Sequence, residues 1–355
     1  MAVAGERRSI KLLIMSNMYP SKEKSFAGIF VKNQYEKLSK IMVKDTVSIF
    51  YMERKFTSKR GSVLKYINSF FKFIPLLFKK FDIIHLHYFY PLIYLVYIYK
   101  LLHPKTKIVV TYHGSDITKK VNKKNKKRLN KLATIIDLNI PVGKALSKIL
   151  KEKLNISANK ILPVGVNDTV FYYEKVEKKY DFIYVGSLIH RKGVDLIINV
   201  AKKVDSSIKI CLIGQGDYID EVKNLSTTKE NIDFFEGLIQ PQIQKKLIQS
   251  KFLLLPTRNE GFPTSTVESM YCGVPVLVSD IPQTLEQVDE GKNGFIVPVD
   301  NEKALHQKMI ELSKMNNDRY SEIVNTTLTY YKDISLTNVC NELYLAYNKL
   351  ISEDA

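Results

Sequence analysis

Short apolar runs rich in Val, Ile, Leu and Phe alternate with helix-like segments along almost the whole chain, and this alternation constrains the fold most. The helix-like segments place apolar residues at i, i+3 and i+4, whereas the short runs suit buried strands. Strand–helix alternation predicts parallel sheets covered by helices on both faces. The candidate strands form one series at residues 10–15, 46–52, 83–87, 107–112 and 134–140, and a second at 182–185, 209–213, 232–235, 252–255, 274–278 and 294–297.

Two series of strands in 355 residues predict two domains, each built on its own sheet. The pattern breaks at residues 163–179, where Gly, Pro, Asn, Asp and a run of charges follow one another. We therefore predict an α/β fold with two Rossmann-like parallel-sheet domains, residues 1–165 and 170–334. Ligands of open α/β sheets bind at the carboxyl ends of strands, so the functional residues should lie on loops that follow strands.

Charge is distributed unevenly along the chain. The protein has 54 Lys and Arg against 36 Asp and Glu, a net charge of +18. Residues 1–170 hold 33 basic and 10 acidic side chains, whereas the remainder holds 21 basic and 26 acidic ones. The first half is therefore suited to an anionic partner, which leaves nucleic acid, an anionic membrane surface and an acidic substrate as alternatives.

Cysteine usage and hydropathy predict a cytoplasmic protein. Cys211, Cys272 and Cys340 lack metal-ligand spacing and are too few for a disulfide framework, which is typical of packed thiols in a reducing compartment. The first residues lack the apolar core of a signal peptide. The most apolar long segment, residues 83–99, carries two histidines and Pro91, and it predicts a strand, a turn and a helix rather than a membrane span.

Candidate functional residues are most concentrated at residues 255–279. Glu260 lies in a loop after a strand, and Glu268 lies one turn inside the helix that begins near Thr264. Both carboxylates can face one ligand, and the loop Gly261-Phe262-Pro263-Thr264 offers amide N–H groups at a helix N-terminus. The alternative is structural, with Thr264 as the N-cap and the glutamates merely favouring the helix dipole. For either Glu alone, both interpretations stay open.

The spacing Glu260-x7-Glu268 in this setting resembles the signature of retaining, nucleotide-sugar-dependent glycosyltransferases of the GT-B fold, the GT4 family. Five further segments resemble motifs of that family in the same order: a Gly loop near Gly28, an H-G-x-D loop at 113–116, an interdomain crossing at 163–171, a K-G turn at 192–193 and a G-x-G element at 214–216. The resemblance covers residues 10–300. It implies two Rossmann-like domains facing each other across a cleft, with a final helix at about 336–352 packed on the first domain.

The resemblance also implies roles for individual residues. Departure of a nucleoside diphosphate from a sugar leaves oxocarbenium character on the ring and negative charge on the pyrophosphate, so the site needs cations and N–H groups. By resemblance Lys192 binds the diphosphate, with Arg191 as a second candidate. The other implied assignments are a phosphate approach at Gly28, contact of His113 with the donor sugar or reacting centre, the nucleobase pocket at Gly237, the transferred hexose at Glu260 and the ribose hydroxyls at Glu268.

Some positions depart from the family pattern or stay open. The family usually has Arg where this chain has Ser187, so either Arg191 or Arg258 is a candidate substitute. Asp116 either orients His113 or caps the next helix. Gly214 belongs to the G-x-G element, and we also place His190 near the donor.

His85 and His87 share one face of a strand, a spacing that suits a metal. A third ligand is not evident, so we interpret the pair as core or cleft lining. No metal or other cofactor is expected, and a UDP- or GDP-linked sugar serves as co-substrate.

Residues 63–81 and 119–131 predict contact with an anionic membrane. The second segment holds eight cations in thirteen residues and no acid, and the first interleaves Phe, Ile and Leu with Lys. Such pairing suits a membrane-surface helix. We expect a peripheral protein at the inner face of the plasma membrane that receives a lipid-linked or polysaccharide acceptor. The alternative is a lysine-rich composition with a buried amphipathic helix, but a general bias would enrich both halves.

The predicted function is transfer of a hexose, with retention, in bacterial surface-glycan or glycolipid assembly. A nucleotide-sugar epimerase of the same architecture is the closest enzymatic alternative. A basic nucleic-acid-binding protein explains the charge but not the Gly loops or the paired glutamates, and the chain has no recognisable RNA- or DNA-binding module. Nucleic acid is therefore not an expected partner.

Overall fold

The computed structural model describes residues 9–21, 27–52, 59–330 and 332–353. The chain divides into two compact units. Unit 1 comprises Met1–Gly165 together with Leu336–Ala355, and unit 2 comprises Val166–Ser335. Each unit is built on one parallel sheet, so the prediction of two parallel-sheet α/β domains is confirmed.

Unit 1 contains a five-stranded sheet in the order β2-β1-β3-β4-β5. Every neighbouring pair is parallel. β1 and β3 are buried along their whole length, because helices cover both faces of the sheet. The strands are β1 (Leu12–Ser16), β2 (Val47–Tyr51), β3 (Ile83–His87), β4 (Lys107–Tyr112) and β5 (Leu138–Pro141); the helices before residue 165 are α1 (Ile29–Ile41), α2 (Lys59–Phe73), α3 (Ile93–Leu102), α4 (Ser115–Thr118), α5 (Lys126–Ala133) and α6 (Lys144–Leu154). A 3-10 turn, Ile74–Phe78, follows α2.

The predicted fifth strand, 134–140, begins four residues too early. Residues 134–136 instead continue the turn that ends α5. The hydroxyl of Thr134 donates to the carbonyl oxygen of Lys131 at 2.8 Å, and the amide of Ile136 donates to that of Ala133 at 3.1 Å. Apolar content alone did not reveal this, because Ile135 and Ile136 suit a strand equally well.

The apolar segment at residues 83–99 folds as predicted, into β3, a turn and the start of α3. α3 spans ten residues, and its buried side chains are Ile93, Leu95, Val96 and Tyr99. Among the helices of the described ranges, none is long and apolar enough to cross a membrane.

Unit 2 contains a six-stranded parallel sheet in the order β11-β10-β9-β6-β7-β8. The chain order reverses between β6 and β9, so the loops that follow these two central strands leave the sheet side by side. The strands are β6 (Tyr180–Val185), β7 (Ile210–Ile213), β8 (Ile232–Phe235), β9 (Ser250–Leu255), β10 (Val276–Ser279) and β11 (Gly294–Val297); the helices are α7 (Val194–Lys203), α8 (Ile219–Thr228), α9 (Gln240–Ile248), α10 (Thr264–Tyr271), α11 (Pro282–Leu285), α12 (Glu302–Ser313) and α13 (Asn317–Tyr330), with 3-10 turns at His190–Lys192 and Lys332–Ile334.

The last helix, α14 (Leu336–Ser352), returns to unit 1 and packs on α1. Its buried side chains recur at helical spacing and join the core beneath β1 and β3. They are Leu336, Val339, Cys340, Leu343 and Tyr347. The other two cysteines, Cys211 and Cys272, are buried in unit 2, and burial raises the pKa of each thiol to about 12.

Candidate active site

In unit 2, the loops after β6 and β9 bring the predicted cations to the predicted carboxylate. The loop after β6 carries Arg191 and Lys192, and the loop after β9 carries Glu260. Nζ of Lys192 forms an ion pair with Oε1 of Glu260, and Nη1 of Arg191 lies 3.3 Å from Oε2. The Glu260 side chain is 8% exposed, so this is a largely buried carboxylate held between two cations. Such a cluster is costly to bury unless its members pair, as they do here.

Backbone contacts lock these two loops together. Gly193, directly after Lys192, has φ +72°, and a Cβ there would lie 2.0 Å from the carbonyl oxygen of Pro256. The amide of Arg258 donates to the carbonyl oxygen of Arg191 at 2.9 Å, and the hydroxyl of Thr257 lies 3.0 Å from the same oxygen. Only glycine fits this position, because both the left-handed backbone and the close approach exclude a side chain. The sequence showed Gly193 within the K-G turn but not this contact.

Arg258, one proposed substitute for the family arginine, is engaged within unit 2. Its guanidinium makes a bidentate pair with Asp195 at 2.7 Å for each contact and a further bond to Asp300. Burial acts to raise the pKa of Asp195, but the hydrogen bonds and charge of Arg258 outweigh it and lower that pKa. Arg258 thus joins its own loop to the first turn of α7, and Arg191 is the arginine that lies beside Glu260.

The loop Gly261–Pro263 leads into α10, which begins at Thr264. The purely structural interpretation of this loop required Thr264 to be the N-cap. Pro263 occupies that position instead, and it has no side-chain donor or acceptor. Phe262 packs against the core of unit 2 and fixes the loop. The first N–H groups of α10 are therefore left without a side-chain cap, which suits an anionic or hydroxyl ligand.

Glu268 lies one turn inside α10, and its surroundings differ from those of Glu260. Burial raises the pKa of its carboxyl group from the ordinary value to about 8. Within the described part of the chain no cation offsets the burial, so the carboxyl group is largely protonated near neutral pH. A ligand that donates hydrogen bonds here would favour its ionised form.

The remaining predicted residues of unit 2 follow neighbouring strands. The carbonyl oxygen of Ser187 accepts a 2.7 Å hydrogen bond from Tyr184, and a Cβ on Gly214 would lie 2.0 Å from the carbonyl oxygen of Gly186. Gly237, after β8, has φ +69° and open space around it apart from Gln215 at 3.4 Å. His190 is exposed, with Nε2 3.7 Å from Asp195. These loops leave β6, β7 and β8 at one edge of the sheet, and of the two glycines Gly237 has open space beside it whereas Gly214 is crowded.

In unit 1, His113 follows β4, and Gly28 precedes α1. Gly28 has φ +72°, and a Cβ there would lie 2.6 Å from the carbonyl oxygen of Met18. Glycine is therefore required by the packing of this loop on its own backbone. His113 is partly buried beneath Phe30 and Tyr88, with ring centroids 4.8 and 4.6 Å away. The end of β4 and the start of α1 are thus brought together around the His113 ring.

Asp116 is not the N-cap of α4, and its bond to His113 reaches the backbone amide of that residue and not the ring. The N-cap of α4 is Gly114, and the Asp116 carboxyl group accepts backbone N–H groups from Phe89 at 2.8 Å and His113 at 3.3 Å. Burial raises the pKa of Asp116 to about 6, against the lowering effect of these bonds. The side chain joins the loops after β3 and β4 and leaves the His113 ring to another partner.

That partner is His87, which sequence reasoning placed only as lining. Its Nδ1 lies 3.0 Å from Nε2 of His113. The rings of His85, His87 and His113 are stacked, so their nitrogen lone pairs lie in near-parallel planes and do not converge on one point. Over the described residues, no group of three or more His, Cys, Asp or Glu is arranged to hold a metal. The parallel register, which pairs His87 with Thr111, is the signal that would have found the His87–His113 contact.

Comparison with known proteins identifies the family. The family model described as glycosyl transferases group 1 matches residues 167–327, and the model described as glycosyltransferase family 4 matches residues 34–169. The chain belongs to the group 1 glycosyltransferases. The matches adjoin near residue 168, and together they cover the loops of Lys192 and Glu260 and that of His113. The family predicted from the six motifs is confirmed.

Individual relatives agree with this assignment. An uncharacterized glycosyltransferase of Methanocaldococcus jannaschii is 32% identical over 67% of this chain and 66% of its own length. A putative colanic acid biosynthesis glycosyltransferase of Salmonella typhimurium is 24% identical over 61% of this chain and 58% of its own. The alignments thus span two thirds or less of these relatives. Anabaena HepE, solved in complex with UDP and glucose, superimposes with a TM-score of 0.73 at 13% identity, covering 96% of this chain and all of HepE. This likeness confirms the GT-B fold.

Proposed function

We propose that this group 1 glycosyltransferase moves a hexose from a nucleoside-diphosphate sugar to an acceptor hydroxyl, with retention of anomeric configuration. The cluster of Glu260 with Lys192 and Arg191 carries the proposal. It places two cations and a carboxylate on adjacent loops beside the uncapped N-terminus of α10. This is the set of groups that departure of a diphosphate from a sugar requires.

In this proposal the anomeric C–O bond to the diphosphate breaks, and a new bond forms from the anomeric carbon to the acceptor oxygen. Lys192 and Arg191 stabilise the negative charge that develops on the departing diphosphate. Glu260 orients the hexose, and Glu268 accepts hydrogen bonds from the ribose. His113 contacts the donor sugar or the reacting centre. The departing phosphate takes the proton of the acceptor hydroxyl on the same face of the sugar, so no protein nucleophile is needed.

The donor is proposed to be a UDP- or GDP-linked sugar, and the acceptor a growing polysaccharide or a lipid-linked glycan. The complex of HepE with UDP and glucose and the colanic acid relative support these classes. We propose that Lys192 and Arg191 supply the positive charge that a metal supplies elsewhere. Transfer by the metal-free protein in the presence of EDTA would be undiminished.

The test begins with a panel of nucleotide sugars, because a ligand of the folded state raises the melting temperature. The donor so found is incubated with acceptors, and NMR reports the anomeric configuration of the product. Glu260→Gln and Lys192→Met are each expected to lower kcat by about 10²- to 10³-fold, the range for loss of one charge-stabilising group. The matched control is Lys203→Met at the end of α7. It removes an exposed ion pair with Glu302 of α12 and should leave kcat unchanged.

Near-normal turnover in both site variants would reject the assigned cluster. An inverted product would reject retention alone. Conversion of the nucleotide sugar to its epimer without any acceptor would instead establish the epimerase alternative.

We further propose that unit 1 docks peripherally on an anionic membrane, at the inner face of the plasma membrane. The structure adds an apolar patch to the basic segments. Phe78 is 82% exposed, Leu101 69% and Leu102 58%, and Phe71 on α2 is also exposed. The end of α3 lies next to the 3-10 turn that carries Phe78, because Nε2 of His103 is 2.8 Å from the carbonyl oxygen of Leu77.

Lysines surround this apolar patch. Lys72, Lys79, Lys80 and Lys105 are exposed beside it, and the eight cations of residues 119–131 are all exposed on and before α5. α5 lies against α3, where the Arg128 guanidinium is 5.3 Å from the centre of the Tyr94 ring. Each cation near an anionic leaflet contributes about 1 kcal/mol, and burial of a large apolar side chain about 1.5–3 kcal/mol. The combination of apolar centre and cationic rim matches an anionic bilayer.

Sedimentation with phosphatidylglycerol vesicles tests this surface. The double variant Phe78→Ser/Leu101→Ser is expected to lose binding at low and at high salt, whereas Lys79→Gln/Lys80→Gln loses it mainly at low salt. Leu345→Ser removes a leucine of comparable exposure from α14, outside the patch, and should bind normally. Failure of the wild-type protein to sediment with anionic vesicles at low salt would refute the docking proposal.

A further inference from the structure

Three histidine rings of unit 1 are stacked in a row that ends at His113. His85 and His87 are two residues apart and share one face of β3, and their ring centroids lie 4.6 Å apart. The His87 and His113 centroids lie 5.3 Å apart, with 25° between the ring planes. Because β3 and β4 are parallel neighbours with His87 opposite Thr111, the first residue beyond β4 falls beside His87.

Hydrogen bonds divide this row into two parts. Both nitrogens of His85 have partners, Tyr347 Oη at 2.6 Å and Thr111 Oγ1 at 2.8 Å. His87 Nδ1 instead lies 3.0 Å from His113 Nε2. Asp116 bonds the backbone amide of His113 and not its ring, and the imidazole of His113 is held by His87.

All three rings are neutral at physiological pH. Burial lowers the pKa of His87 to about 3. Burial, together with the neighbouring histidines, holds the pKa of His85 and of His113 well below the ordinary range. One hydrogen is therefore shared between His87 Nδ1 and His113 Nε2, and its owner determines the tautomers of both rings.

The second ring nitrogen of His87 shows which histidine donates the shared hydrogen, His87 or His113. Nε2 of His87 is buried, and among the residues that the structure describes it has no hydrogen-bond partner. If His113 donated to His87, the His87 proton would lie on Nε2 as an orphaned buried N–H group. If His87 donates, Nε2 is a bare acceptor, which is the less costly of the two unsatisfied states.

We propose that His87 is a positioning residue that donates its Nδ1–H to Nε2 of His113 and so keeps the His113 proton on Nδ1. His113 then meets the substrate as a hydrogen-bond donor from Nδ1, not as a base. Phe30 and Tyr88 hold the ring on its other sides. This inference rests on the proposed function for the statement that His113 contacts substrate, but the tautomer itself does not depend on it.

The tautomer is measured first, on wild-type protein labelled with ¹⁵N in its six histidines, and His113→Gln assigns the His113 signals. The expected result is the Nδ1–H tautomer for His113. His87→Leu should shift His113 to a mixture or to the Nε2–H form. His87→Asn, whose amide can donate from near the position of Nδ1, should retain the Nδ1–H tautomer of His113.

The matched control is His85→Leu, which replaces the histidine two residues earlier on the same strand, where no hydrogen bond to His113 is lost. An Nε2–H tautomer in the wild-type protein, or an unchanged tautomer in His87→Leu, would overturn the proposal.

Kinetics then separate positioning from a merely structural role. His87→Leu should lower kcat for transfer by about tenfold or more with little change in donor KM, and His87→Asn should recover most of it. Equal losses in His87→Leu and His87→Asn would argue against the positioning role. If the wild-type protein transfers no sugar at all, the proposed function fails, while the tautomer result stands or falls separately.

Discussion

Glu260 and Glu268 are eight residues apart in one motif, but their electrostatic surroundings are opposite. Glu260 is held between Lys192 and Arg191, so its charge is compensated within unit 2. Glu268 is partly buried, no cation of the described residues offsets that burial, and the pKa of its carboxyl group rises to about 8. Pairs of carboxyl groups in contrasting surroundings are typical of functional sites. The single residues thus differ in what they offer a ligand: a fixed anion among cations, and a group that ligand binding can ionise.

Glu268 therefore makes the stability of unit 2 depend on pH. Its pKa is higher in the folded protein than in the unfolded chain, so the folded state retains a proton that the unfolded state releases. The free energy of unfolding should fall as the pH rises from about 4.5 to about 8, because ionisation then opposes burial. Glu268→Gln should remove this part of the slope. Denaturant titrations of both proteins at pH 5, 6.5 and 8 measure it, and parallel profiles would contradict the raised pKa.

At the scale of elements, helix ends and helix faces have separate tasks. The N-terminus of α10 leaves its amides uncapped for a ligand, whereas α14 uses one face to complete the core of unit 1. The buried residues of α14 recur every three or four positions, and its exposed face carries Leu345. Tyr347, on the buried face, reaches His85 on β3. α14 thereby supports the strand that carries His85 and His87.

Substitutions on the two faces of α14 should differ sharply. Leu343→Ala, at a fully buried position, is expected to lower the free energy of unfolding by about 2–5 kcal/mol, through lost burial and the cavity left behind. Leu345→Ala, two residues away and 62% exposed, should change it by less than about 0.5 kcal/mol. Denaturant unfolding of both variants tests this difference. Similar losses in both would mean that α14 does not pack as the structure shows.

At the scale of the whole molecule, the two units differ in continuity. Unit 2 is one uninterrupted segment, whereas unit 1 needs residues from both ends of the chain. The charge follows the same division, since the strongly basic residues 1–170 supply most of unit 1 and the slightly acidic remainder supplies unit 2. Stability of unit 1, but not of unit 2, should depend on the C-terminal helix.

A chain that ends at Ser335 tests this dependence. It lacks α14 and exposes the apolar surfaces of α1, β1 and β3, so unit 1 should unfold or aggregate. Residues 166–335 expressed alone should fold cooperatively, because their core is complete within the segment. Calorimetry and amide exchange measure both. An unchanged melting profile after removal of α14 would contradict the division.

The local features of this protein could be predicted from its amino-acid sequence alone. Period-two and period-3.6 patterns depend on neighbouring residues alone, and they located the eleven strands of the described residues, ten with starts within two residues and one start four residues early, as well as the beginning of α10. The resemblance to the family supplied α14. The motif loops were found because Gly, Glu, Lys and His stand where strands end, and resemblance then supplied the family. The contacts among these residues, in contrast, are seen only in the folded chain. The contact of Gly193 with Pro256, the pairing of Arg258 with Asp195, and the bond between His87 and His113 depend on strand order and register. Those are set by packing between distant segments, which no local pattern encodes.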